Sequence, residues 1–281
     1  MRCYILKIIL FSTVSIYYII KLLLLINYTP IIFVPISPVS PISPISSISP
    51  LSRSLTENKN KYLTYINICT QNIQHLPHMK KDYIDFIKST NNCNILLLQE
   101  NFENFDVNYK YNFIRTLSEK FDYFLTTPVP NIFNLKVIDS GLSYFGGLPL
   151  NYEFRSFNNS VGLDFLSDKG IQLITLDKFT IGNLHLQSDN EYIIKLQMNE
   201  VCNLIKNFSN VILIGDFNTD LIMNCSDNFI TDFYSKEITF PLMAKKFDGI
   251  YLYGLNYTYK SKIFNNNYSD HFGIIYNFSF L

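Results

Sequence analysis

The sequence predicts an α/β (α+β) fold: two mixed β-sheets packed as a four-layer sandwich between helices, preceded by an N-terminal membrane segment. Three observations lead there. Short runs of β-branched and aliphatic residues recur after position 60, each closed by glycine or polar residues. Amphipathic helical patterns separate some of these runs, but few separate the later ones, so several connections run strand to strand. Polar residues of similar chemistry then fall repeatedly at the ends of the runs, where packed sheets would gather them on one rim.

Bulk properties narrow the field only slightly. The chain has 281 residues, a formal net charge of zero and 48% hydrophobic residues, enough for one large core. No Lys/Arg-rich block marks a nucleic-acid surface. The absence of Trp and a single alanine, Ala244, reflect compositional bias rather than chemistry. The five cysteines, Cys3, Cys69, Cys93, Cys202 and Cys225, show no metal-ligand spacing and read as structural thiols. An oxidising compartment would allow disulfides among them.

Residues 1–34 are expected to form a membrane anchor or signal sequence. The 19 residues from Ile8 to Ile26 would span roughly 28 Å as a helix, close to a bilayer core. No small-x-small cleavage site follows, which favours an uncleaved anchor, with a cleaved signal as the rival. Arg2 and Lys7 precede the span, so the positive-inside rule puts the remainder on the extracytosolic side. Residues 35–60 carry proline at every third position over much of their length, which blocks helix and ladder and predicts an extended linker. Residues 61–281 form the folded domain.

Within that domain the periodicities place strands at Tyr65–Thr70 and Asn94–Leu98, with an amphipathic helix from His78 to Thr90 between them. Short strands and turns occupy Thr126 to Leu150, and Ile171–Leu176 and Phe179–Leu186 form a strand pair. Glu191 to Phe208 is the clearest helix, with Ile194, Met198, Val201, Cys202 and Ile205 at helical spacing. Val211–Ile214 is a strand buried on both faces, followed by Gly215-Asp216-Phe217-Asn218. An extended backbone there would aim Asp216 and Asn218 one way and return Phe217 to the core. Strands close the chain at Phe247–Tyr253, Tyr257–Lys260 and Phe272–Phe280.

Asn72, Glu100, His185, Asp216, Asn218, Asp248 and the pair Asp270-His271 all fall at or beside strand ends. Each also has a plain structural reading: a turn, a solvated strand end, a hydrogen-bonded core histidine. Together, carboxylates, carboxamides and two imidazoles on one solvated rim suit an oxygen-preferring ion such as Mg²⁺ rather than zinc.

The segments Thr70-Gln71-Asn72-Ile73, Leu97-Leu98-Gln99-Glu100 and Ser140-Gly141-Leu142-Ser143-Tyr144-Phe145 carry a resemblance. So do Asn183-Leu184-His185-Leu186-Gln187, Gly215-Asp216-Phe217-Asn218, Phe247-Asp248-Gly249-Ile250 and Ser269-Asp270-His271-Phe272. In this order they resemble the endonuclease/exonuclease/phosphatase superfamily, with its deoxyribonuclease I-like fold. The resemblance implies Glu100 as the main Mg²⁺ ligand (Mn²⁺ substituting), assisted by Asn72 and Asp270. It implies Asp216 as the group acting on the attacking water and Asn218 as a phosphate-oxygen holder. It implies His271, tuned by Asp248, as the second acid/base, and His185 as a phosphate contact or proton donor. Gly146-Gly147 and Leu184 depart from the family pattern, which usually has Ser-Arg and Thr at those places.

Asp168-Lys169-Gly170 looks like the Lys-Gly signature of the lipid and inositol-phosphate branches. The helix carrying Gln197 and Glu200 resembles that of neutral sphingomyelinases. Hydrolysis of a lipid phosphodiester is therefore the favoured expectation. The alternatives are a nuclease, an inositol-phosphate phosphatase and a non-catalytic, membrane-anchored binding module.

Overall fold

A computed structural model of the chain describes residues 65–74, 84–102, 113–114, 116–117, 119–127, 136, 138–222, 225, 229–233, 235, 237–254, 257–265 and 268–280. The expected membrane segment, the proline-rich linker and the first turns of the helix expected from His78 lie outside these residues. Among the described residues no helix is long and apolar enough to cross a membrane.

The strands are β1 (Tyr65–Asn72), β2 (Ile95–Gln99), β3 (Tyr123–Thr126), β4 (Ser143–Gly146), β5 (Asn151–Ser156), β6 (Gly170–Thr175), β7 (Thr180–His185), β8 (Val211–Asp216), β9 (Ile230–Thr231), β10 (Asp248–Tyr253), β11 (Tyr257–Phe264) and β12 (Gly273–Phe280). Among the described residues the α-helices α1 (Ile84–Ser89) and α2 (Glu191–Ile205) accompany them, with short 3-10 turns at Gly162–Leu166 and Pro241–Met243. One six-stranded sheet runs β11-β12-β1-β2-β4-β3 and the other β5-β6-β7-β8-β10-β9. Each is mixed: β1 pairs with β2, and β7 with β8, in parallel, while the remaining neighbours are antiparallel. Both parallel pairs are joined by a stretch containing a helix, as a parallel crossover requires.

Strand periodicity builds the core. Ile68 of β1, Ile95 and Leu97 of β2, Ile181 of β7, Ile212 and Ile214 of β8 and Ile250 of β10 share one apolar layer between the sheets. The alternate residues face outward. Cys69, Leu96 and Leu98 pack with Phe86 of α1 and with Phe113 and Leu117. Leu184, Val211 and Leu213 pack under Ile194, Met198, Val201 and Ile205 of α2. The expected order of helix, sheet, sheet, helix is observed. Helix α2 opens on Asn190, whose side chain accepts from the Ile193 amide at 3.1 Å, and stops at Ile205, three residues before the expected Phe208.

Two edge strands differ from expectation. β5 is half exposed and carries Glu153 and Arg155, so it lacks the apolar run that marks a strand. β9 has two residues, too short for any periodicity. The cysteines also correct the reading of free structural thiols. Cys69 is bonded to Cys93, and Cys202 to Cys225, with Cα separations of 5.7 and 5.1 Å. The first ties β1 to the turn before β2, and the second ties α2 to the segment after β8. Cys202→Ser or Cys69→Ser should each lower unfolding stability by about 2–4 kcal/mol. Urea melts with and without reductant check this, and thiol labelling of the native chain should find neither pair reactive.

Candidate active site

The inward faces of four strands lose their apolar character at the same end. Along β1 the series Ile68, Thr70, Asn72 ends in an amide, and β8 runs Ile212, Ile214, Asp216. On β7 the series is Ile181, Asn183, His185, and β2 passes from Leu97 and Gln99 to Glu100 just beyond the strand. Period-two alternation therefore delivers Asn72, Asp216 and His185 to the rim of the interior, whereas Glu100 is out of phase with Gln99 and reaches it through a left-handed turn, φ 57°. Gly215 lets β7 and β8 close there. Its φ is 143°, and a Cβ would strike the Leu184 carbonyl, so no other residue fits between Leu184 and Asp216. His185 and Asp216 consequently sit opposite one another in the parallel register.

The structure brings the expected residues together across both sheets. Asn72 Nδ2 donates to Glu100 Oε1 at 3.0 Å and to Asp216 Oδ2, in the other sheet, at 2.9 Å. His185 Nε2 lies 3.8 Å from Glu100 Oε1 and 3.7 Å from Asp216 Oδ2. His271 Nδ1 meets Asp248 Oδ2 at 2.8 Å, and its Nε2 stands 3.9 Å from Asp216 Oδ2. Asp248 is the register partner of Asp216 across the β8–β10 ladder. Asp270 is reached through Gln74, whose Nε2 donates to Asp270 Oδ2 at 2.7 Å and whose amide donates to Asn72 Oδ1 at 2.9 Å.

Three details depart from the sequence reading. The site is not a solvated rim: Asp216 and Asp248 are each 1% exposed and His271 7%, while the Glu100 side chain keeps 22%. Asn218 is not extended. Its φ of 52° is left-handed, its amide donates to Asp216 Oδ1 at 2.8 Å, and its side chain donates to the Leu186 carbonyl at 3.0 Å. The carboxamide thus braces the loop instead of pointing with Asp216. Lys169, read from the sequence only as a branch marker, enters the site. Its Nζ donates to His185 Nε2 at 3.1 Å and to the Leu186 carbonyl at 2.9 Å, and pairs with Asp164 at 3.1 Å.

Other participants gave no sequence signal. Thr239 Oγ1 accepts from the amides of Phe247 and Asp248 and so fixes the start of β10. Phe240 packs on the His271 ring with centroids 4.7 Å apart. Nothing in an Ile-Thr-Phe-Pro stretch distinguishes such contacts from ordinary loop packing.

Burial sets the electrostatics. It raises the Glu100 carboxyl above its ordinary range, and together with the neighbouring Asp248 it pushes Asp216 up to about 7. Burial, then the Lys169 cation, drives His185 well below the usual histidine value, so it is a neutral imidazole accepting at Nε2. For His271 burial works downward, but Asp248 and Asp216 prevail and raise it to about 10. His271 is therefore an imidazolium at neutral pH.

A hard divalent cation fits this donor set. Glu100, Asp216 and Asp248 crowd carboxylates into a largely buried space where the His271 imidazolium and Lys169 are the nearby cations, and Asp248 Oδ1 has no hydrogen-bond partner among the described residues. Asp216, Asp248 and His271 offer ligand atoms within 4.8 Å of one another. Glu100 offers the better place: Mg²⁺ keeps several waters, and Glu100 is the one of these carboxylates open to solvent, whereas His271 Nδ1 is already committed to Asp248 and Asn72 turns its NH2 group rather than its oxygen toward Glu100.

The fold is the deoxyribonuclease I-like sandwich that the sequence resemblance implies, shared with several solved structures. Sphingomyelinase C from Streptomyces griseocarneus superimposes with a TM-score of 0.56 at 16% identity, covering 76% of this chain and 99% of its own. TDP2 from D. rerio, solved with a single-strand DNA product, gives 0.60 at 15% identity, covering 77% and 99%. A Staphylococcus aureus beta toxin mutant with bound magnesium ions gives 0.55 at 15% identity, covering 76% and 99%. No protein-family model and no curated protein sequence matches the chain.

Because His271 is raised from 6.5 to about 10, its contribution to stability is complete below about pH 6.5 and is lost as pH rises through 10. The stability difference between the metal-free wild type and His271→Gln should accordingly be greatest near pH 6 and shrink toward pH 10. Urea titrations in EDTA at several pH values measure it.

Proposed function

We propose that the chain is a divalent-metal-dependent phosphodiesterase whose favoured substrate is a membrane lipid phosphodiester of the sphingomyelin kind. The observation that carries the enzymatic reading is the convergence, across two sheets, of Glu100, Asp216 and the Asp248–His271 pair within bonding reach. A structural core would not bury two carboxylates in one place with a third beside them.

Glu100 would hold Mg²⁺, or Mn²⁺ in its place, with Asn72 and Asp270. The ion supplies charge neutralisation at the phosphate. Asp216, raised to about 7, suits a group that positions a water and takes its proton. Asp248 orients His271 through Nδ1, leaving Nε2 free to face the phosphate and pass a proton to the leaving oxygen. Neither role expected for His185 suits its state: Nε2 accepts from Lys169 and carries no hydrogen for a phosphate oxygen or a leaving group, so the Lys169 cation beside it is the better phosphate contact. Asn218 contributes by holding the Asp216 carboxylate in place.

Lipid is favoured over nucleic acid on three grounds. Leu242 and Met243, 77% and 58% exposed, lie two and three residues after Phe240, which packs on His271, so apolar surface lies close to the site. The net charge is zero, with no basic block to track a phosphate backbone. The expected N-terminal anchor would hold the domain beside a bilayer, and two disulfides suit an extracytosolic location. The nuclease reading rests on the fold shared with TDP2.

The purified protein should hydrolyse sphingomyelin vesicles with Mg²⁺, stop in EDTA and recover with Mg²⁺ or Mn²⁺. Turnover of single-stranded DNA or an inositol phosphate, with sphingomyelin untouched, would transfer the assignment to that substrate. Full activity in EDTA would remove the metal from the mechanism. Asp216→Asn and His271→Ala should each lower kcat by about 10²-fold or more with KM changed far less. Glu100→Gln should be partly rescued by high Mg²⁺. If both kcat variants match wild type on every phosphodiester, the binding-module reading replaces the enzyme.

A further inference from the structure

Immediately beneath the site, the layer between the sheets changes from aliphatic to polar. Thr70, Gln99, Ser143, Gln172 and Asn183 are all fully buried there, although Ile68, Leu97, Ile181 and Ile214 nearby show that the sheets pack well through apolar contact. Apolar contact is non-directional and leaves two sheets free to slide or tilt by small amounts. Buried amides are the reverse: they cost stability unless their bonds are made, and those bonds fix distance and angle.

Three of the five bonds that the Gln99 and Asn183 side chains donate cross from one sheet to the other, while those to Thr70 and Gln172 stay within one sheet. Gln99 Nε2 donates to Asn183 Oδ1 at 2.7 Å and to Thr70 Oγ1 at 3.1 Å. Asn183 Nδ2 lies 3.2 Å from each of the Leu98 and Ser143 carbonyls, both in the opposite sheet, and from Gln172 Oε1 in its own. Gln99 immediately precedes Glu100, whose backbone turns left-handed with φ 57° directly after the strand. Asn183 precedes His185 by two on the same face of β7. The pair thus sits one step below the two places where the sheets must meet, Asn72 with Asp216 at 2.9 Å and His185 with Glu100 at 3.8 Å.

We propose that the Gln99–Asn183 amide pair is a positioning element that sets the spacing of the two sheets at the site. It holds Glu100 at the distance from Asp216 and His185 that cation binding requires. The proposal rests on reading Glu100 as a cation ligand. Neither residue touches the ion or the substrate, and both act through their neighbours on β2 and β7.

Gln99→Leu, Asn183→Leu and the double variant, each in the full chain, separate positioning from cohesion. Urea midpoints report cohesion, and Mn²⁺ affinity, read by electron paramagnetic resonance without substrate, reports geometry. Each single variant strands a buried amide and should lower the midpoint, whereas replacing both partners by apolar groups should bring it back toward wild type. Positioning predicts that Mn²⁺ affinity stays about 10–100-fold weaker in all three, including the restabilised double variant. A double variant that regains wild-type Mn²⁺ affinity along with its midpoint would overturn the proposal and make the pair a packing element. A wild type that binds no Mn²⁺ overturns the cation reading and this proposal together. Should the double variant fail to fold, Gln99→Met, close to glutamine in shape, is read by the same measurement where its urea curve shows it native. Wild-type Mn²⁺ affinity in that variant overturns the proposal equally.

Discussion

The polar end of this molecule depends on one carboxamide. Asn72 stands at the end of β1 and divides its two hydrogens between Glu100 of its own sheet and Asp216 of the facing one. Its oxygen is held in turn by the Gln74 amide. Without that bridge two carboxylates from different sheets would face each other across a largely buried space, and like charges in such a place repel strongly. Serine reinforces the arrangement from below the chain's last motif: Ser269 Oγ donates to the Asn72 carbonyl at 2.7 Å and lies 3.3 Å from Asp270 Oδ1. The end of β1 and the loop before β12 are thereby fixed to each other, although almost two hundred residues separate them.

The same crowding divides the two histidines. Both are buried, yet they stand in opposite protonation states because their partners carry opposite charges. Burial drives the proton off His185 and the facing Lys169 reinforces it; at His271 the facing Asp248 and Asp216 overcome burial and hold the proton. One site therefore contains both a neutral imidazole and an imidazolium at the same pH, the kind of separation that lets two like side chains take different parts in one reaction. Lys169 is itself countered by Asp164, which also accepts from the Ser188 amide and hydroxyl, so the cation is tied to the loop that follows β7.

Much of this was legible in the sequence, for reasons that can be named. A buried strand has a strong period, so β7 and β8 stood out, and a polar residue that breaks an aliphatic run at its end, as Asp216 and His185 do, is visible against it. The layer order followed from the same alternation. What the pattern could not carry was backbone handedness and burial. Asn218 continues the alternation in sequence, but the chain has already left the strand and turned left-handed, so its side chain serves the Leu186 carbonyl. Polar residues at strand ends read as a solvated rim because polarity is the usual mark of exposure; here the sheets close over them and the polarity is internal. Lys169 was hidden for a related reason, since a lysine before a strand is ordinarily a surface residue and this one is 4% exposed. The disulfides were open by the same token: spacing shows which cysteines exist, and only the fold brings Cys202 to Cys225.

A site of this kind carries its own cost in stability. Glu100, Gln74 and Asn218 hold positive φ without being glycine, and such conformations persist only where the surroundings over-determine them, at about 1–3 kcal/mol each. Buried carboxylates raised by desolvation add to that strain. The compensation is found away from the site and on both of its sides. Each sheet's outer face is covered by a separate apolar cluster, and each cluster is crossed by one disulfide: Cys69–Cys93 beside α1 and Cys202–Cys225 beside α2. The covalent ties thus fall in the two outer layers, where they constrain the unfolded chain without touching the polar end. The inner layer is left to set geometry, through aliphatic packing below and paired amides just under the site. Cohesion and positioning are carried by different layers of one sandwich, which is why polar groups can be buried at its open end without the sheets parting there.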